Sequence, residues 1–189
     1  MVMLLPFVAW SLTGLFFLVQ PGYGDAYATL PVKTYASTTP YTIPANPEWR
    51  ETRYLVSILG PHLLARTNAG WQHLNAADAT PWQQPDATDV AALLADAISF
   101  DVARYGRLEH VDGMSGTTDT GVELSLNWAS LTLQQYGRDT RWIDRLYRIH
   151  YLQWTGIDLL DRLLGLIGLV LLLLMTYTGA RLLFGTGKP

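Results

Sequence analysis

Apolar residues fill both ends of this chain without a break and alternate with polar ones through its middle. Residues 1–19, MVMLLPFVAWSLTGLFFLV, carry no charge, and the run is long enough to cross a hydrocarbon core of about 30 Å as a helix. Residues 163–180, LLGLIGLVLLLLMTYTGA, are again free of charge. A helix apolar on every side for that length has no place on a soluble domain. The pattern predicts one transmembrane helix at 1–19, a second at 163–184 and a short tail at 185–189. The first run has a rival reading as a cleaved signal peptide, because Ala26-Tyr27-Ala28 has the A-x-A form of a signal-peptidase site. The lack of a basic residue before the apolar run, and the length of that run, favour a retained anchor. A mature protein beginning at Thr29 would refute it.

Between the ends the period changes. Residues 20–47 are rich in Pro, Tyr, Thr and Ala and read as a connector leaving the membrane, with Tyr23 and Tyr27 suited to an interfacial belt. Residues 53–59 form a short apolar run ended by Gly60-Pro61. Residues 63–66 and 71–74 flank Thr67-Asn68-Ala69-Gly70, which suits a hairpin with Gly70 in the left-handed position. In 89–105, Val90, Leu93, Leu94, Ala97, Ile98 and Val102 recur at threes and fours, so one amphipathic helix is expected. Thr88 or Asp86 can cap its start, and Gly106 follows its end. Strands are expected at 107–111, at 121–127 (Val122, Leu124 and Leu126 alternating with Glu123 and Ser125) and at 130–136 (Leu131, Leu133). Residues 48–138 are therefore an α+β domain: a small antiparallel sheet with one packing helix, flanked by N- and C-terminal transmembrane helices. Residues 139–162 put Arg141, Arg145 and Arg148 on one helical face beside Trp142, Tyr147, Tyr151 and Trp154, as in an interfacial helical collar.

Composition narrows the chemistry. The chain has 189 residues, enough for two spans and one compact domain. It has no Cys, which removes thiolate metal sites, iron–sulfur clusters, a Cys nucleophile and disulfides. The net charge of −3 and the lack of a Lys/Arg run give no nucleic-acid footprint. All Asp and Glu lie between the spans, while the tail region carries Arg181 and Lys188. By the bias of basic residues both termini are placed in the cytoplasm and the middle domain outside.

Candidate sites are few. No nucleophile-elbow, P-loop, zincin or dinucleotide motif is present; Ser57 or Ser115 near a His would be chance, and nothing argues for a nucleophile and its base. His62 and His73 fall on the two arms of the expected hairpin and His110 on another strand. Three His could hold a metal, but no HxH or HxxxH spacing supports it, so no metal or cofactor is expected. His150 in the collar is either a haem, metal or partner contact or an interfacial polar residue. Asp144, Arg145, Arg148, Asp158, Asp161 and Arg162 read as surface ion pairs and anchors. Gly165, Gly168 and Gly179 let a neighbouring helix approach closely.

The stretch 142–156, which contains RIHYLQWTG, followed by the Gly-spaced span 163–183, resembles PepSY-associated transmembrane proteins. So does the opening segment LLPFVAWSLTGLFFLVQPGYGDAY, with Trp10, the pair Thr13-Gly14 and its membrane exit. PepSY modules are small α+β domains that in membrane proteins face the periplasm or cell exterior. The resemblance implies an interaction or regulatory module rather than an enzyme. Larger relatives have four spans and reduce iron–siderophore or flavin-linked substrates, with haems held by His on membrane helices. This chain departs from them in having two expected spans and no His in either. The resemblance thus implies a non-catalytic accessory, assembly or regulatory subunit in the bacterial inner membrane. It would dock on a larger complex, such as one of respiratory electron transfer, through the bilayer and other integral membrane subunits and without nucleic acid. The interface candidates are Trp142, Arg145, Arg148, His150, Tyr151, Trp154, Gly165 and Gly168. The alternatives are a redox component of iron–siderophore or haem uptake, and a module that regulates a periplasmic protease.

Overall fold

Alternation in the middle of the chain builds two antiparallel sheets rather than one. In the computed structural model, which describes residues 4–153 and 155–185, strands β2 (Glu51–Ser57), β3 (Gly60–Thr67) and β4 (Gly70–Asn75) form a three-stranded meander. Strands β1 (Leu30–Pro31), β5 (Leu108–Asp112), β6 (Ser115–Thr118), β7 (Glu123–Asn127) and β8 (Thr132–Tyr136) form a second sheet in the order β1-β8-β7-β6-β5. The domain is α+β. Both sheets belong to one compact unit, Gly22–Thr140; the second unit joins Met1–Pro21 with Arg141–Pro189.

Gly60-Pro61 does not end a strand but opens β3. Ser57 pairs with Gly60 across a tight turn, and Gly60 has φ +109, a conformation open to glycine. The expected turn at 67–70 forms, with Gly70 at φ +123. The small sheet is covered on both faces, which is why His62, Leu63, Leu64 and Ala65 are all buried in succession. Leu64 and Leu55 point into the main core. Leu63, Ala65 and Leu74 are covered from the other side by Tyr41, Trp49 and Tyr54, with the Tyr41 and Tyr54 rings stacked at 4.2 Å.

Tyr41, one part of that cover, comes from the stretch expected to be a connector. Residues 20–47 carry a helical turn, α2 (Tyr23–Ala26), and β1, whose Leu30 pairs with Leu133. Leu30 and Val32 are buried in the main core. Gln135 holds this segment by donating from Nε2 to the carbonyls of Asp25 and Ala28 at 2.8 and 3.1 Å. Arg104 adds Nη2 to Asp25 O at 3.1 Å and to the Asp139 carboxylate at 2.7 Å.

The helix over the five-stranded sheet starts where expected and stops early. In α3 (Ala87–Ile98) the Asp86 carboxylate caps the N-terminus, accepting from Thr88 N at 2.8 Å and Asp89 N at 2.9 Å. Val90, Leu93, Leu94, Ala97 and Ile98 are buried as their spacing requires. Asp86→Ala should cost about 1 kcal/mol and Asp86→Asn much less, read as a shift in denaturation midpoint. The expected single helix 89–105 breaks after Ile98, and a separate turn, α4 (Val102–Tyr105), follows. Ser99 Oγ donates to Asp96 O at 2.7 Å and Asp101 accepts from Arg104 N at 3.0 Å. Short polar side chains thus satisfy the backbone locally in place of the helix. Val102, counted on the apolar face, is 64% exposed.

The second unit contains α1 (Leu4–Val19), the part of α5 (Arg138–His150) from Arg141 onward, and α6 (Asp158–Gly185). Only Asp158–Phe184 is long and apolar enough, among the described residues, to cross a membrane. The 16 residues of α1 reach about 24 Å at 1.5 Å per residue, short of a full span. The first three residues of the expected span, and residues 186–189 of the expected tail, lie outside the described residues. The collar is helical only to His150. There Leu152 takes φ +57, Gln153 N donates to Arg148 O at 2.8 Å and Leu152 N to Ile149 O at 3.3 Å, the paired bonds of a Schellman ending. In the link to α6, Asp161 accepts from Thr155 N at 3.0 Å and from Thr155 Oγ1 at 2.8 Å.

Candidate functional site

The membrane-proximal candidates divide into a packed group and an exposed one. His150 is at the C-terminal end of α5, where backbone carbonyls lose their helical partners. The Trp10 indole of α1 supplies one, donating from Nε1 to His150 O at 2.6 Å. Thr13 Oγ1 lies 2.8 Å from Ala9 O and 2.9 Å from His150 Nδ1. Thr13 Oγ1 has one proton to give: with Ala9 O taking it, His150 Nδ1–H donates to Thr13, and with the imidazole taking it, His150 Nδ1 accepts. The imidazole is wrapped by Trp10, Phe17 and Tyr151, at ring separations of 5.8, 5.2 and 5.3 Å. Gly14 keeps the helix surface close: a Cβ there would stand 3.7 Å from His150 Cε1. Trp10, Thr13, Gly14 and His150, noted in two separate stretches of sequence, therefore meet in one contact.

Trp142, Arg145, Arg148 and Tyr151 are exposed on α5 or just beyond it. Trp154 lies outside the described residues. Gly168 faces Leu152, whose Cδ1 would be 3.1 Å from a Cβ at that position, whereas the space beside Gly165 and Gly179 is open among the described residues.

A second site, in the Gly22–Thr140 domain, has no sequence motif to mark it. Ser57 Oγ lies 2.5 Å from His62 Nε2, His62 Nδ1 lies 2.9 Å from His73 Nε2, and His73 Nδ1 lies 2.9 Å from Trp128 O. The Trp128 carbonyl fixes every proton in this chain. It can only accept, so His73 donates from Nδ1 and accepts at Nε2. His62 then donates from Nδ1 and accepts at Nε2 from the Ser57 hydroxyl, whose oxygen in turn takes the Leu59 N–H at 3.0 Å. Both imidazoles are neutral. Burial lowers the His62 pKa to about 3, with the neighbouring His73 adding to it, and burial lowers that of His73 to about 4. Trp82 stacks on His62 at 4.4 Å and Trp128 packs on His73 at 4.0 Å.

The order Ser, His, His is that of a nucleophile, its base and the group that orients the base. Ser57 is only 4% exposed and His62 fully buried, so no carbonyl carbon can approach the hydroxyl. What the chain does is join the two sheets, since Trp128 follows β7 and the histidines belong to β3 and β4. The sequence held a signal for it. In the hairpin register His62 pairs with Asn75 and Leu64 with His73, so the two histidines are diagonal neighbours on one face.

His110 does not join them. It is exposed on β5, where it lines an open cavity of about 570 Å³ with Tyr27, Thr29, Glu123, Gln134 and Tyr136. Among the described residues no group of three His, Asp or Glu converges on a common point, so the three-histidine metal arrangement is not formed. Comparison with models of known families, with characterised proteins and with solved structures finds no match to this chain.

Proposed function

We propose that this chain is a non-catalytic, membrane-anchored module of PepSY type, an accessory or regulatory subunit of a larger inner-membrane assembly. Its domain would face the periplasm and both termini the cytoplasm. One observation supports the reading above others: no part of the apolar window of Asp158–Phe184 is buried within the chain. Such a surface needs a bilayer, and the open small-residue position Gly165 leaves room for a partner helix within it. The resemblance of 142–156 and of the opening segment to PepSY-associated proteins supports the kind of module, and the sealed state of Ser57 supports its lacking hydrolytic chemistry. The respiratory character of the host complex rests on that resemblance alone. In native membranes solubilised with a mild detergent, the protein should migrate with a large complex on native gels. Migration as a lone monomer at native expression levels would sink the proposal.

One observation favours the redox alternative. An imidazole that donates from Nδ1 to a fixed oxygen is held as a metal-ligating imidazole is, and Thr13 Oγ1, 2.9 Å from His150 Nδ1, would hold it so with the Thr13 proton on Ala9 O. A second copy of the chain would have to supply the other ligand. A Soret band in the purified protein that disappears in His150→Ala would favour this reading over the first.

A further inference from the structure

We infer that the exposed face of α5 is a binding site for the headgroups of anionic phospholipids. Arg141, Arg145 and Arg148 lie on one side of this helix together with Trp142 and Ile149, and all five are exposed. At 100° per residue they fall within an arc of about 120°. No acid lies within that arc; Asp144 falls just beyond its edge. The packed side of the helix carries Ile143 and His150 instead, so the arginines are not held there by the need to bury an apolar face.

The occupant follows from what comes next in the chain. Only the link 151–157 separates α5 from Asp158–Phe184, whose 27 residues reach about 40 Å at 1.5 Å per residue, longer than a hydrocarbon core of about 30 Å. Its first five residues include Asp158, Asp161 and Arg162, which belong at headgroup depth, and the uncharged run begins at Leu163. The C-terminal end of α5 is then tethered within a few residues of the phosphates. A guanidinium offers two parallel N–H donors to a phosphate. Trp and Tyr settle at the same depth, and Trp142 and Tyr151 are 54% and 52% exposed. Basic side chains near an anionic bilayer surface each strengthen association about fivefold. The inference rests on α6 being a bilayer span, which is part of the function proposed above.

The test uses the full chain reconstituted in bilayers. The measurement is the relative association of spin-labelled phosphatidylglycerol and phosphatidylcholine with the protein, taken from the motionally restricted fraction of the spectrum. The wild-type protein should prefer phosphatidylglycerol at least about fivefold, less so at high salt. Arg141→Gln, Arg145→Gln and Arg148→Gln together should bring the ratio close to one, while the three Lys replacements should keep most of it. If the triple Gln variant does not fold, Arg145→Gln and Arg148→Gln singly should each lower the ratio. Equal association of the two lipids with wild-type protein overturns the inference, as does a preference that survives the Gln changes. An arginine face shielded by a protein partner, with no lipid preference, also overturns it. Alkaline carbonate extraction separates the two ideas: release from membranes would remove the span itself, whereas an integrated protein without lipid preference removes only this site.

Discussion

The Gly22–Thr140 domain should lose stability steeply as the pH falls from about 6.5 towards 4. The cause is the buried chain from Ser57 to Trp128, in which both imidazoles are neutral donors and acceptors at once. In the unfolded chain His62 and His73 take up protons below their ordinary value of 6.5; in the folded domain they resist until about 3 and about 4. Between those limits the unfolded state binds more protons, so acid pulls the equilibrium towards it. The contribution is fully present above pH 6.5, declines below it, and levels off once the folded histidines themselves protonate. Each group contributes about 1.4 kcal/mol per pH unit. Two groups over this range give a loss on the order of 5 kcal/mol, comparable with the whole stability of a small domain. Guanidinium titrations of the full chain in detergent, followed by tryptophan fluorescence from pH 7.5 to 4, should show the midpoint falling throughout. A midpoint that stays flat down to pH 4 would falsify the neutral-chain assignment.

The same chain predicts which substitutions change that slope. Replacing His62 alone leaves His73 Nε2 without its donor and the Ser57 hydroxyl proton without its acceptor, and such an orphan costs about 1–3 kcal/mol. Replacing His62 and His73 together by Leu and Phe removes the titrating groups, so the pH dependence should flatten even where stability at pH 7.5 is reduced.

How far the sequence foretold this molecule depends on where the information lay. The long apolar helix at the C-terminal end was visible because its uncharged run is unbroken, and α3 because its five buried residues keep a helical period. Strands β7 and β8 showed their alternation because one face is buried and the other exposed. Strand β3 concealed its own, since both faces are covered and His62 through Ala65 are all buried. The two-residue β1 gave no signal because its partner, β8, lies a hundred residues on, and because Pro- and Thr-rich composition usually marks a linker. The Ser57–His62–His73 chain needed the hairpin register worked residue by residue, and its last acceptor is a backbone carbonyl with no sequence signature. The meeting of Trp10 and Thr13 with His150 joins residues some 140 positions apart, beyond the reach of any local pattern.

Strand β6 escapes the sequence pattern for a reason that can be tested. Its sequence, SGTT, has no large apolar residue, because the place where one would stand is taken by α3. A Cβ at Gly116 would lie 2.8 Å from Leu94 Cδ1, 2.9 Å from Leu108 Cδ1 and 3.1 Å from the backbone oxygen of His110. Two of these atoms are side-chain tips that can turn aside, but Leu94 is fully buried and close-packed interiors yield little. Gly116→Ala should therefore destabilise by about 1–3 kcal/mol and Gly116→Val by more. Leu94→Ala opens a cavity at the same spot and should cost about 2–5 kcal/mol alone. The two changes are not independent, because the methyl that collides in the first fills space vacated in the second. The double variant should be more stable than the sum of the single losses implies, by an interaction of roughly 1 kcal/mol or more. Additive losses would mean that the clash is with Leu108 or the carbonyl of His110, both on β5, and that the sheet rather than the helix sets the closeness of approach at Gly116.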